Sequence, residues 1–144
     1  MNNRRRLLSE LKKISEHFRL KLSKIEIVRK TAIALDDTSN KLLIIDETDH
    51  PYFKTIDLQN VKSCAIKVDY GKINAGDLRD KNIDAFIEKI QLQIAHVDPV
   101  KSVYIRFYDT GKDSVHDLRT LVSKAKSWRD KIASILPASQ LLRA

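Results

Sequence analysis

Few residues in this chain have a type and spacing that could do chemistry, and the first are three consecutive cations, Arg4, Arg5 and Arg6. Together with Lys12, Lys13 and Arg19 they are the candidate contact for an anionic surface. The histidines His17, His50, His96 and His116 are scattered, without the HxxxH spacing that seats two imidazoles on one helix face toward a metal. Asp46, Glu47 and Asp49 with His50 lack the spacing of a calcium loop and read as a solvated turn, and Asp109-Thr110-Gly111-Lys112-Asp113 is equally far from an EF-hand. Cys64 is the only cysteine; no base partner is suggested for it, so it reads as a small buried apolar side chain. There is no phosphate-cradling glycine loop, dinucleotide fingerprint or GxSxG. The expectation is a non-enzymatic protein with no catalytic residue, no metal and no cofactor.

Charge is distributed unevenly. The formal net charge is +8, and residues 1 to 30 hold ten Lys or Arg against three acids, which leaves the rest of the chain nearly neutral. Whatever the charge serves therefore concerns the N-terminal segment. Three arginines at a helix start oppose the macrodipole, whose positive end favours Asp or Glu. An anionic surface, or a helix continuing upstream, would remove that penalty.

Periodicity assigns these groups to secondary structure. Leu7, Leu11, Ile14, Phe18, Leu22 and Ile25 recur at spacings of three and four, predicting an amphipathic helix from Arg4 to Ile25 with Lys12, Lys13, Glu16 and Arg19 on its outer face. Extended chain begins near Ile25, with a break at Lys30-Thr31. Asp36-Asp37-Thr38-Ser39-Asn40 has turn chemistry, and Leu42 to Ile45 is an unbroken apolar run suited to a strand covered on both faces. A strand from Tyr52 to Leu58 comes next, then the cleanest alternation in the chain, with Cys64, Ile66, Val68 and Tyr70 on the core face.

Gly71 to Asn82 reads as a mobile loop. Ile83 to Val97 fits both a helix and a strand; a strand from about Ile87 is favoured, because Asp98-Pro99 and then Val103, Ile105 and Phe107 look like the second half of a hairpin. Tyr104, Arg106 and Tyr108 share one face of that late strand, a basic and aromatic surface of the kind that stacks nucleic acid. Ser114 with Asp117 resembles a capping box, and Val115, Leu118, Leu121, Val122, Ala125, Trp128, Ile132, Ile135 and Leu136 predict a long closing helix stopped by Pro137. Residues 138 to 144 read as a frayed tail.

Helix, six or seven antiparallel strands, then one long amphipathic helix is the element order of a pleckstrin-homology-like (PH-like) barrel, or strongly bent sheet, with an added N-terminal helix. The segments Ala32 to Asp37, Lys41-Leu42-Leu43, Ile56-Asp57-Leu58 with Val61 to Cys64, Ile90-Gln91-Leu92, Ile105 to Asp109 and Ala125 to Trp128 resemble small uncharacterised bacterial membrane-associated proteins with a PH-like domain. The resemblance covers roughly Leu7 to Leu136 and rests on core patterns. It implies an α+β fold in three parts: a basic, juxtamembrane-like helix over 1–24, a PH-like domain over 25–137 and a tail over 138–144.

In such proteins a membrane-spanning helix often precedes a basic stretch and this domain. Arg4, Arg5 and Arg6 then correspond to the positively charged cytoplasmic flank of such a helix, and the chain is either a trimmed form or a departure from the pattern. Binders of phosphoinositides place Lys and Arg in the first hairpin loop, where this chain has Asp36 to Asn40. The resemblance therefore implies an interaction module at the cytoplasmic face of the inner membrane, or in the cytoplasm if no anchor precedes it. Its expected partners are a protein and an anionic membrane surface. The alternative is a nucleic-acid binder using the same basic helix, against which stands the near-neutral body. A single cysteine makes a reducing compartment the expectation. No apolar run approaches the ~20 residues of a membrane-spanning helix, so the chain is expected to be soluble.

Overall fold

The computed structural model describes residues 3–48 and 52–137 of the chain. Along the chain run α1 (Asn3–His17), β1 (Lys24–Val28), β2 (Thr31–Asp36), β3 (Lys41–Asp46), β4 (Tyr52–Asp57), β5 (Val61–Tyr70), α2 (Asp77–Asp80), β6 (Ile87–His96), β7 (Val103–Asp109) and α3 (Leu118–Ile135). The strands form two antiparallel sheets, β1-β2-β3-β4 and β5-β6-β7, in sequence order. The number of strands and the strand at Ile87 match expectation; the barrel is corrected to two separate sheets, with no closed barrel among the described residues. The chain divides into two compact units, one of the residues up to Lys62 with those from Ile135, the other Ser63–Ser134.

In the first unit α1 lies on one face of the four-stranded sheet. Cross-strand register puts Ile27, Ala32, Ile45 and Phe53 in one row of that face and Ile25, Ala34, Leu43 and Thr55 in the next. Leu7 and Leu11 pack with Ala32, Ala34, Leu43 and Ile45 in one buried cluster, flanked by Ile14, Leu20, Leu22 and Ile27. The small side chains of Ala32 and Ala34 let the helix approach the sheet, and each leucine contributes about 1.5–3 kcal/mol by burial. The opposite face, with Val28, Ile33, Leu35, Leu42, Ile44 and Ile56, is buried as well, which is why β3 reads as an uninterrupted apolar run.

The helix ends at His17, well short of the Ile25 that the spacing predicts. Arg19 takes a left-handed φ of 57°, its N–H donates to the Glu16 carbonyl, and Leu20 N–H donates to the Ser15 carbonyl at 2.8 Å. This is the Schellman end of a helix, with arginine where glycine is usual. Phe18, Arg19, Leu22 and Ile25 are thus outside α1. Leu20 and Leu22 still pack against the helix–sheet cluster, from a chain that has turned. The turn at Asp36 to Asn40 stands where its side-chain chemistry put it, but it is the second hairpin loop and not the first: the break expected at Lys30-Thr31 is itself a tight hairpin, turning at Arg29-Lys30, with Arg29 and Asn40 at positive φ.

The second unit differs from expectation at three places. In β7 a register shift opposes Ile90 to Tyr108 and Gln91 to Arg106, a β-bulge at Phe107. The extra residue rotates the end of the strand, so Phe107 and Tyr108 are both buried and Tyr104, Arg106 and Tyr108 do not form one exposed face. At the closing helix, Ser114 caps a single 3-10 turn at Val115–Asp117, and α3 proper starts at Leu118. Val115 is 61% exposed rather than core, whereas Ala125, Trp128 and Ile132 form the buried stripe. Gly71 to Asn82 contains the one-turn helix α2. The reading of 138–144 as a tail lies outside the described residues, as does that of Asp49, His50 and Pro51.

Candidate functional site

The outer face of α1 is built by heptad spacing. Arg5 and Lys12, and beside them Arg6 and Lys13, are seven residues apart and so stand two turns apart on adjacent stripes of the side turned away from Leu7 and Leu11. All four are exposed, as is Arg4 in the first turn, and Glu16 lies among them. Lys13 makes a loose ion pair with Glu10 at 3.7 Å. Arg19, placed with these cations by the sequence, stands instead in the turn beyond the helix, exposed.

Arg6 is committed within the molecule. Its guanidinium donates to the Glu47 carboxylate, just after β3, and to the Asn3 side-chain oxygen at 2.9 Å. Asn3 in turn donates to the Arg29 carbonyl, and the Glu47 N–H donates to the Lys30 carbonyl. The first turn of α1, which carries no acid of its own, thereby borrows one from the segment after β3. Part of the dipole conflict is relieved at Arg6. Glu47, read as part of a solvated acidic turn, is an anchor for the helix.

The two flanks of α1 differ in chemistry. On the flank toward β4, Glu10, Ile14, Ile45, Glu47, Tyr52 and Phe53 line a depression of about 160 Å³, too small for an ordinary small-molecule ligand. Phe18 lies against Phe53, with ring centroids 6.0 Å apart. Arg5 and Lys12 belong to the other flank.

Asp36 holds the approach to β1. Its carboxylate accepts from the N–H groups of Lys21 and Thr38 at 2.9 Å and of Ser39 at 3.1 Å. Burial pushes the carboxyl up, but these amides and the Ser39 hydroxyl together bring it below the usual aspartate range. Asp109 is likewise lowered, first by the Gly111 N–H, against burial, and then by Arg106, whose guanidinium lies 3.0 Å away. Both carboxylates serve the backbone of a turn.

The second unit holds a feature that periodicity did not reveal. Ile66, Val68 and Tyr70 of β5, Ile87 and Ile90 of β6, and the first half of α3 enclose an apolar groove of about 550 Å³. The helix contributes Leu118, Arg119, Val122, Ser123 and Lys126, one stripe at spacings of one and three. The sequence marks Ile66, Val68, Leu118 and Val122 as apolar but cannot say that their shared face is left half-covered. Cys64, on the same face of β5, is half-buried rather than buried. Burial pushes its thiol up to about 12, with Arg129 pulling weakly the other way, so it is protonated and unreactive at neutral pH.

Among the described residues, no group of three His, Cys, Asp or Glu side chains is placed to hold a metal ion, and no helix is long and apolar enough to cross a membrane. Comparison with protein-family models, with curated proteins and with solved structures finds no match for this chain.

Proposed function

We propose that this chain is a non-enzymatic, PH-like interaction module that sits against the anionic, cytoplasmic face of a bacterial membrane through the outer face of α1. The observation that carries the reading is the placement of Arg5, Lys12 and Lys13 along an exposed helix face whose opposite side is pinned to the sheet by Leu7 and Leu11. A pinned helix presents its cations as a fixed array, and each basic residue near an acidic leaflet contributes about 1 kcal/mol. The element order supports the PH-like assignment: a four-stranded antiparallel sheet, a three-stranded one, then a long C-terminal helix.

Co-sedimentation with vesicles tests the proposal. Retention on phosphatidylserine-containing vesicles at low salt, lost at high salt, is the expected result. Equal behaviour toward neutral and anionic vesicles removes the membrane role. Salt-dependent retention of DNA in place of vesicles would transfer the helix face to nucleic acid.

A further inference from the structure

We infer that the groove between β5 and α3 takes one long-chain fatty acid, its carboxylate held by Lys126 and Ser123 and its alkyl chain lying on Ile66, Val68 and Ile90. The inference goes beyond the interaction-module reading and is independent of the membrane contact, since every lining residue belongs to the second unit.

The groove is one chain wide. On β5 its lining residues are a single alternate row, Ile66, Val68 and Tyr70, and on α3 they are a single stripe from Leu118 to Lys126. Ile87 and Ile90 of β6 are buried beneath it, whereas Ile66, Val68, Leu118 and Val122 are only half-buried. Covering these four side chains is favourable in proportion to the apolar area removed from water, and an alkyl chain brings no polar group that needs a partner there. The volume, about 550 Å³, lies in the lower half of the range for small-molecule sites. It suits one acyl chain rather than the two of a bilayer phospholipid.

Charge gives the chain a direction. The charged lining residues are Arg119, Lys126 and, against them, Asp84. Gly71 N–H donates to the Phe86 carbonyl at 2.7 Å, which puts the segment carrying Asp84 at the Tyr70 end of the groove. Arg129 lies close enough to Cys64 to favour its thiolate, so the later turns of α3 run beside the start of β5. Lys126, one turn before Arg129, therefore stands at the Ile66 end, and Arg119, near the start of α3, shares the other end with Asp84. Ser123 precedes Lys126 by three residues on the same exposed stripe, so a hydroxyl and an ammonium flank one position. A carboxylate seated there accepts a charge-assisted hydrogen bond, and a long-chain cation is repelled.

Calorimetric titration of the full chain with octanoate, laurate and dodecyltrimethylammonium, each below its micelle concentration, tests the site. One laurate should bind per chain, at least about ten-fold more tightly than octanoate, since each buried methylene is worth about two- to four-fold, and dodecyltrimethylammonium should not bind. Lys126→Glu should weaken laurate binding by about ten-fold or more, as for loss of a hydrogen bond to a charged group. Arg119→Glu should weaken it by less than about three-fold, because seven residues of helix, about 10 Å, put it one Debye length from Lys126. Val122→Arg, which drives a long side chain into the groove, should abolish binding; if circular dichroism shows that it does not fold, the two variants at exposed residues decide the matter. Arg5→Glu/Lys12→Glu should leave laurate affinity unchanged. No saturable binding, equal affinity for octanoate and laurate, equal losses for Lys126→Glu and Arg119→Glu, or loss with the α1 charges overturns the inference. Vesicle binding that persists beside such a result leaves the membrane reading standing.

Discussion

Arg6 and Glu47 are joined by an ion pair across 41 residues of sequence, and the pair ties the first turn of α1 to the segment after β3. The arginine cluster is therefore not one functional unit. Arg6 is part of the scaffold, whereas Arg5 and Lys12 are turned outward on the flank away from it. Substitution of Arg5 or Lys12 by Ala should weaken partition onto anionic vesicles by about five-fold each, corresponding to about 1 kcal/mol per cation. Arg6→Ala should weaken it less, because a cation already facing a carboxylate gains less from the surface. Equal losses for all three in a sedimentation titration would show that the pairing has no bearing on binding.

Leu11→Ala tests whether the helix is part of the first unit's core. Leu11 is 1% exposed in the cluster with Leu43 and Ile45, so truncation should cost about 2–5 kcal/mol in urea unfolding. A loss below about 1 kcal/mol, the scale of surface changes, would mean that α1 is peripheral. A chain beginning at Lys24 should for the same reason fail to fold as a monomer, with Ala32, Ala34, Leu43 and Ile45 uncovered.

The two turn carboxylates set an acid dependence. Asp36 and Asp109 have folded-state pKa values below the ordinary 3.8, so their contribution is present above the unfolded value and is lost as pH falls through the folded ones. Asp36→Asn should be less stable than the parent at pH 7, by about 1.5–3 kcal/mol for a charged hydrogen-bond acceptor. That difference should shrink below about pH 4. A difference that stays constant from neutral to strongly acid solution would contradict the assignment.

The Cys64 thiol, raised to about 12, should react with a disulfide reagent at pH 8 about a thousand-fold more slowly in the native protein than in the unfolded chain, following the fraction ionised. Rapid stoichiometric labelling of native protein would show that burial does not control this thiol.

Much of the scaffold was legible because local chemistry and tertiary packing agree. Asp36 to Asn40 is a turn by side-chain type and a turn in fact, Leu42 to Ile45 is a strand buried on both faces, and Asp98-Pro99 splits β6 from β7. Where periodicity misled, the deciding feature was a backbone conformation that residue type does not announce. The spacing of Phe18, Leu22 and Ile25 continues a helix that Arg19 stops, and an arginine in the left-handed region leaves no mark in the sequence. The bulge at Phe107 reverses the facing of Tyr108 without a glycine to announce it.

For the site, the excess of cations at the N-terminus was visible, but their sorting was not. That Glu47 takes Arg6 depends on a fold that returns residue 47 to the start of α1, and that Arg19 leaves the helix depends on its left-handed backbone. The groove was invisible for a related reason, since periodicity identifies the apolar face of α3 and of β5 but not how completely the two cover each other.

Membrane contact through α1 is decided by comparing the parent chain with Arg5→Glu/Lys12→Glu/Lys13→Glu for partition between solution and phosphatidylcholine vesicles with and without phosphatidylserine, across a salt titration. All three side chains are exposed, so the fold should survive, as circular dichroism would verify. Binding should require phosphatidylserine, decline as salt rises, and fall on the order of a hundred-fold in the variant. Binding that ignores lipid charge, or that the triple reversal leaves intact, would refute the contact.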